Sequence, residues 1–508
     1  MNLNEIQQLE KTGKEPKWHP SIKSSFLFVK TAGMRLGPEL LVLELFREVF
    51  YHKKFAETLA KRDYNLEATH YSASEKLVLY AVRGRNRRAR KKSASGAPLY
   101  CPAYPIQARD AWLRTKTDRV VRDFLLVGPL KQYVFDHKLT KAQIHEISEC
   151  IVAGLAGHNA ATPEDYNKKE FLSVALKGIP APASMDSAGA PREIGSRIDD
   201  HSDVIKLGYP DPLAERIAQD FIHLCKAEKG LGRIQWLSLL KGFLRLSTSS
   251  WLLAQMSLSI KLRDWLIGMI EGAIVAPGEA EIVASFASRH ENLFIPNIVP
   301  GKPAEHQVEL YMKARVELNI LLHWIGALSG DALGDKQIVV SGKSADTITI
   351  SDLLHLAEQS GRELSPESKK TLRETLIRQA ECFEAWNDPL NNGQGKNLNE
   401  FLLVLKRNSE TDGDQSYMLT QAKGGAVTVF PGPEMLITII FLAAEAKGRG
   451  TGKLMLSDIE AHLASYGVNF ISATARPRLI QKLQEMGLLK GSPDAGDSVE
   501  ILLPIKHA

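Results

Sequence analysis

The chain has 508 residues, 44% of them hydrophobic and 24% charged, with a formal net charge of +5. So much apolar material excludes a wholly disordered chain and predicts roughly two to four folded domains. The charge is uneven: residues 1–157 carry 27 Lys and Arg against 16 Asp and Glu, and the remainder 37 against 43. A basic first third on an acidic body implies an anionic partner for that third.

Cys101, Cys150, Cys225 and Cys382 are far apart, without a C-x-x-C pair. That spacing points away from a zinc ribbon or redox pair and towards a reducing cytoplasm. The first twenty residues lack the apolar core of a secretory signal. The most apolar long stretch, residues 246–260, is too short and too rich in Ser, Thr and Gln to span a bilayer. A cytoplasmic protein without a membrane partner is expected.

In chain order, Gly37-Pro38 opens an amphipathic helical stretch, "PELLVLELFREVFYHKKFAETLAKR". Then comes "VRGRNRRARKKSASG" at 82–96, where seven of the ten residues from Arg83 to Lys92 are basic. Arg83, Arg85, Arg87, Arg88, Arg90, Lys91 and Lys92 concentrate the charge that phosphate binding needs. Tyr80, Tyr100 and Tyr104 flank them and could stack on bases. Lys116, Arg119 and Arg122 recur every third residue, which makes one basic stripe on a helix. The competing reading is a solvated loop. "KAQIHEISECIVAGLAG" predicts a further helix, and the Pro-, Ala-, Gly- and Ser-rich residues 179–195 a linker.

Helical periodicity resumes in "LAERIAQDFIHLCKAEKG", "IQWLSLLKGFLRL", "WLLAQMSLSIKLRDWLIGMIEG" and "HQVELYMKARVELNILLHWIGAL". Trp236, Trp251, Trp265 and Trp324 among their aliphatic neighbours read as core anchors. "KQIVVSGKSADTITISDLL" predicts a β-hairpin turning at Ser341-Gly342-Lys343-Ser344, then a helix capped by Ser351. Two Gly-Lys segments imitate a phosphate loop. The first has Gln337 where a glycine is required; the second, "KGRGTGKLML", has Leu454 where Ser or Thr would hold magnesium. No nucleotide, metal or other cofactor is therefore expected.

The last stretch carries the densest signals. Pro433 starts a helix, Ser457 and Glu460 have capping-box spacing, Ser472 is a candidate cap, and Gly487 ends a third helix. Strand, turn and strand follow. Over about 75 residues this order resembles a winged-helix domain. The resemblance implies that the third helix contacts DNA through Ser472, Thr474, Arg476, Arg478 and Lys482. It puts Lys490, Ser492 and Ser498 on the wing. Residues 431–508 hold eight basic and eight acidic residues, with Asp494 and Asp497 on the wing, so protein docking is the alternative there. The segments "VTVFPGPEMLITIIFLAAEA" and "GLLKGSPDAGDSVEIL" are also similar to C-terminal parts of accessory subunits in bacterial antiphage defence systems. No catalytic residue follows from that similarity.

The expectation is a mainly α, multidomain chain: a basic helical N-terminal domain at 1–178 and a linker at 179–198. A helical middle domain with a β-hairpin near 338–350 fills 199–385, a loop-rich connection 386–429, and the winged helix 430–508. The function expected is that of a non-enzymatic DNA-binding scaffold, positioning nucleic acid for a partner subunit such as a nuclease, helicase or ATPase. Alternatives are a metal-dependent nuclease using Asp199, Asp200, His201 and Asp203, a pure protein scaffold, or a transcriptional regulator. His145 and Glu149 share a helix face, whereas His223 and Cys225 point to different sides. No Gly-x-Ser-x-Gly or His-Glu-x-x-His motif occurs.

Overall fold

A computed structural model describes residues 18–24, 40–42, 44–45, 48, 120–133, 139–156, 211–294, 297–301, 303–330, 333–334, 336–341, 345–386, 403–406, 415–421, 427–448, 453–470, 474–490 and 499–504. The fold is mainly helical, with a few short strands. The linker expected at 179–198 lies outside these residues. No described helix is long and apolar enough to cross a membrane.

The N-terminal part contributes α1 (Pro20–Ser24), a π-helix (Arg122–Leu130) containing Pro129, and α2 (Lys141–Ala156). Next comes α3 (Pro212–Lys226), whose start is fixed twice. Pro212 occupies the first turn, and the Asp211 carboxylate accepts the Ala214 N–H at 3.2 Å.

The long helix α4 (Arg233–Glu271) is the spine of the molecule. Sequence periodicity suggests two helices here, separated by "STSS". The structure joins them into one helix of 39 residues. The polar stretch does not break it: the Thr248 hydroxyl bonds back to the Leu244 carbonyl at 2.5 Å, and the Ser250 hydroxyl finds the Tyr466 carbonyl. No proline interrupts it, and Gly272, at φ 73°, ends it in the left-handed conformation. Trp236, Trp251, Trp265 and Trp324 are all buried, and Trp236 donates its indole N–H to the Leu224 carbonyl at 2.9 Å.

Around α4 pack α3, α6 (Pro303–Leu328), α7 (Ile350–Glu363) and α9 (Pro433–Lys447). Between them come α5 (Glu279–Ala287), β1 (Asn297–Gly301) and α8 (Pro366–Trp386). Gly361 lets α7 approach closely, since a Cβ there would meet the Ile270 carbonyl oxygen of α4 at 2.7 Å. Arg245 of α4 is fully buried and donates to the Val404 carbonyl at 2.6 Å and the Ser416 hydroxyl at 2.8 Å. Its third donor reaches the Lys406 carbonyl at 3.3 Å. One guanidinium thus pins two later segments to the spine.

Strands β2 (Gln337–Val339) and β3 (Thr347–Thr349) form where extended chain is expected, but they pair in parallel, Ile338 opposite Ile348. The hairpin reading is therefore corrected, because parallel neighbours require the chain to cross over and not to reverse in a tight turn. The cap of α7 is Thr349, reciprocally bonded with Asp352, and Ser351 lies inside the helix. Strands β4 (Leu419–Gln421) and β5 (Val427–Val429) are antiparallel, and β1 lies on the other side of β5.

The C-terminal module follows. Pro433 opens α9, as its fixed φ favours. Met455 is extended and bridges Glu500 in antiparallel sense. Helix α10 (Leu456–Ala464) begins earlier than the Ser457 and Glu460 spacing predicts. Asp458, not Glu460, returns to the helix start, accepting the Met455 N–H at 2.7 Å. Helix α11 (Ala475–Glu485) and the antiparallel strands β6 (Leu489–Lys490) and β7 (Glu500–Ile501) complete the module.

Candidate nucleic-acid interface

Arg83, Arg85, Arg87, Arg88, Arg90, Lys91, Lys92, Lys116, Arg119 and Ser472 lie outside the described residues, as do Asp199, Asp200, His201 and Asp203. Of the basic stripe, the structure describes Arg122. Its Nε sits 2.8 Å from the Asp123 carboxylate, and its own N–H donates to Glu44 at 3.4 Å. Burial opposes its charge, yet Asp123, Glu48 and Glu44 outweigh burial and hold the guanidinium above its ordinary pKa. Arg122 thus meets an acidic environment supplied by its own chain.

In the C-terminal module, Thr474 is exposed just ahead of α11. Arg476 does not point freely outward: its Nε meets Glu460 of α10 at 2.6 Å, and a second nitrogen meets the other carboxylate oxygen at 3.4 Å. Arg478 lies over the Phe430 ring, 4.6 Å from its centroid. Lys482 pairs with Glu485 at 3.1 Å. On the strands, Glu500 receives Lys453 at 2.9 Å and Lys490 at 3.6 Å. Lys447 holds Asp458 at 2.6 Å. The exposed positions left on α11 include Pro477, Gln481 and Gln484, none of them charged.

The module is fastened to the helical body by a buried polar joint that sequence reasoning misses. Asp220 of α3 has no exposed surface. It accepts the Tyr466 hydroxyl at 2.8 Å, lies 2.9 Å from His462 Nε2, and stands 3.4 Å from Arg216. Nearby, the Phe294 N–H donates to the Gly467 carbonyl at 2.9 Å, and the Ser250 hydroxyl to the Tyr466 carbonyl at 2.9 Å. An acidic residue among the buried apolar positions of α3 is a signal that a partner must exist. Nothing in the local sequence says that the partner lies more than 200 residues away.

The other reactive side chains are structural in character. Cys225 is fully buried, and burial together with nearby Cys150 and Glu228 pushes its thiol well up, away from nucleophilic use. Burial also lowers the pKa of His223 against the pull of Asp220 and Glu445. His145 is exposed on α2, while the side chain of Glu149 lies outside the described residues. Among the described residues, no group of three or more His, Cys, Asp or Glu is arranged to hold a metal ion. No protein-family model matches this chain, and a search of curated proteins finds no match.

Proposed function

We propose that this chain is a non-enzymatic scaffold subunit that docks nucleic acid, DNA in particular, and positions it for a partner enzyme. The observation that carries the reading is the charge partition, a surplus of eleven basic residues in 1–157 set against an acidic remainder. Within it, the run from Arg83 to Lys92 has the density that releases counterions from a phosphate backbone. The long spine α4, with partners from both halves of the chain, suits a platform that holds others in fixed relation. The helix, strand, helix, helix and two-strand order of the C-terminal module supports a winged-helix reading for it. Its similarity to accessory subunits of antiphage clusters favours a bacterial antiviral complex in the cytoplasm, with a nuclease, helicase or ATPase as the enzymatic partner.

The test is binding of purified protein to duplex and single-stranded DNA across a salt series. A comparison protein carries Ala at Arg85, Arg87, Arg88, Arg90, Lys91 and Lys92. The wild type is expected to bind at moderate salt, and the variant to bind more weakly with a shallower salt dependence, by about 0.9 in log–log slope per lost phosphate contact. No binding by the wild type near physiological salt would leave a pure protein scaffold in its place; equal binding by both proteins would place the DNA contact outside the basic run.

A further inference from the structure

The described basic side chains of the C-terminal module are Lys447, Lys453, Arg476, Arg478, Lys482 and Lys490, and each has a partner inside the chain. Asp458 holds Lys447 at 2.6 Å, Glu500 holds both Lys453 at 2.9 Å and Lys490 at 3.6 Å, and Glu485 holds Lys482 at 3.1 Å. Glu460 holds Arg476 at 2.6 Å, and the Phe430 ring covers Arg478 at 4.6 Å. Two of these carboxylates are placed by the fold, not by chance encounters of long side chains. Glu500 sits in β7, bridged to Met455 on one side and paired with Lys490 on the other, so Lys490 approaches from β6 and Lys453 from the segment leading into Met455. Glu460 is on α10 and reaches across to the first turn of α11, engaging both carboxylate oxygens with one guanidinium.

We propose that Glu460 and Glu500 form an autoinhibitory contact: they occupy the module's cations and keep it from binding a phosphate backbone. This rests on the reading of the module as a phosphate-facing surface. Polyanion affinity comes from cations that exchange condensed counterions for phosphate. A cation already facing a carboxylate gains little by that exchange, and the carboxylate left beside the phosphate repels it. Individually such exposed pairs contribute little to stability, so they can be opened without unfolding the protein. The Lys453 and Lys490 ammoniums hold the Glu500 carboxyl below its ordinary pKa, so the contact persists at neutral pH. Opening it requires a competing cation for the carboxylates, such as a basic surface on a partner subunit.

The experiment uses the full chain in two backgrounds, the natural sequence and the six-Ala variant of the basic run. Glu460→Gln and Glu500→Gln are introduced together, and binding to a 30-base-pair duplex is followed across a salt series. In the six-Ala background the double substitution is expected to raise affinity by about tenfold or more. The salt slope should steepen by up to about 2.7, for the three cations released. Arg476→Ala added to the double variant should remove part of that gain. Glu460→Gln alone, which touches Arg476 and leaves the strands intact, should give a smaller gain and guards against misfolding of the double variant. No gain in either Gln variant, or a gain that Arg476→Ala leaves intact, overturns the proposal. Failure of the parent DNA-docking reading is seen separately, as no duplex binding by the natural sequence near physiological salt.

Discussion

The Tyr466 hydroxyl donates to Asp220 at 2.8 Å, joining the end of α10 to the middle of α3 across 246 residues of chain. Burial and the neighbouring carboxylate push the phenol well above its ordinary pKa, so it remains a donor at any ordinary pH. Tyr466→Phe should cost about 1–2 kcal/mol, the loss of one buried bond to a charged acceptor. Asp220→Asn should cost at least as much, because Arg216 loses its counter-charge and the Tyr466 hydroxyl its charged acceptor. Chemical unfolding of the two variants measures this, and a Tyr466→Phe midpoint indistinguishable from wild type would refute it.

A second buried pair holds the start of α3. Arg289 places two nitrogens on the two oxygens of Asp211, at 2.9 and 2.6 Å, while stacking on Phe286 and Trp251. Lysine carries the same charge but has neither the fork nor the plane. Arg289→Lys should therefore destabilise by about 2–4 kcal/mol despite keeping the charge. Stability close to wild type would show that charge alone matters at this position.

His19 supplies a pH dependence. Burial, then the charge of nearby His323, lower its pKa from 6.5 to about 4. The imidazole is neutral in the fold, with Nδ1 accepting the Ser21 N–H at 3.3 Å. Between pH 6.5 and 4 the unfolded chain binds a proton that the folded chain does not. This contribution to stability is thus complete above pH 6.5 and is lost as pH falls towards 4, by about 1–3 kcal/mol. His19→Gln should flatten that part of the melting-temperature profile. An unchanged acid slope in the variant would assign the effect to other groups.

Gly467 is required where α10 ends. Its φ is +81°, and an added methyl group would collide with the His290 carbonyl. Gly467→Ala should cost more than about 2 kcal/mol and loosen the joint between module and body. Limited proteolysis near residue 467 should accelerate in the variant; wild-type resistance would show that the contact relaxes cheaply.

Local patterns in the sequence carry much of this fold. The helices around Trp236, Trp251, Trp265 and Trp324 and the proline-led starts of α3 and α9 follow from periodicity and capping chemistry. What is not legible is set by distant partners. The polar residues 247–250 separate two apolar periodic runs in the sequence, yet in the packed core Thr248 bonds to its own helix and Ser250 to Tyr466. Thr349 displaces Ser351 as a cap because β3 delivers the chain to the helix already extended. Parallel pairing of β2 and β3 depends on where the intervening chain crosses, which alternation of residues does not encode. For the candidate interface, the residue types on α11 are visible in sequence, but their engagement by Glu460 and Phe430 is a tertiary fact.

The spine has a consequence for how the protein is made. Helix α4 finds partners that the ribosome has not yet produced when it emerges: Ser416 for Arg245, and Tyr466 for Ser250, 216 residues behind. At typical elongation rates of about 5–20 residues per second, that interval is roughly 10–40 s. Throughout it, apolar faces that end up buried against α9 stand uncovered, and a buried arginine waits for its carbonyls. Efficient production should therefore depend on chaperones that hold the nascent chain, and translation pauses between α4 and α10 should lower the soluble yield.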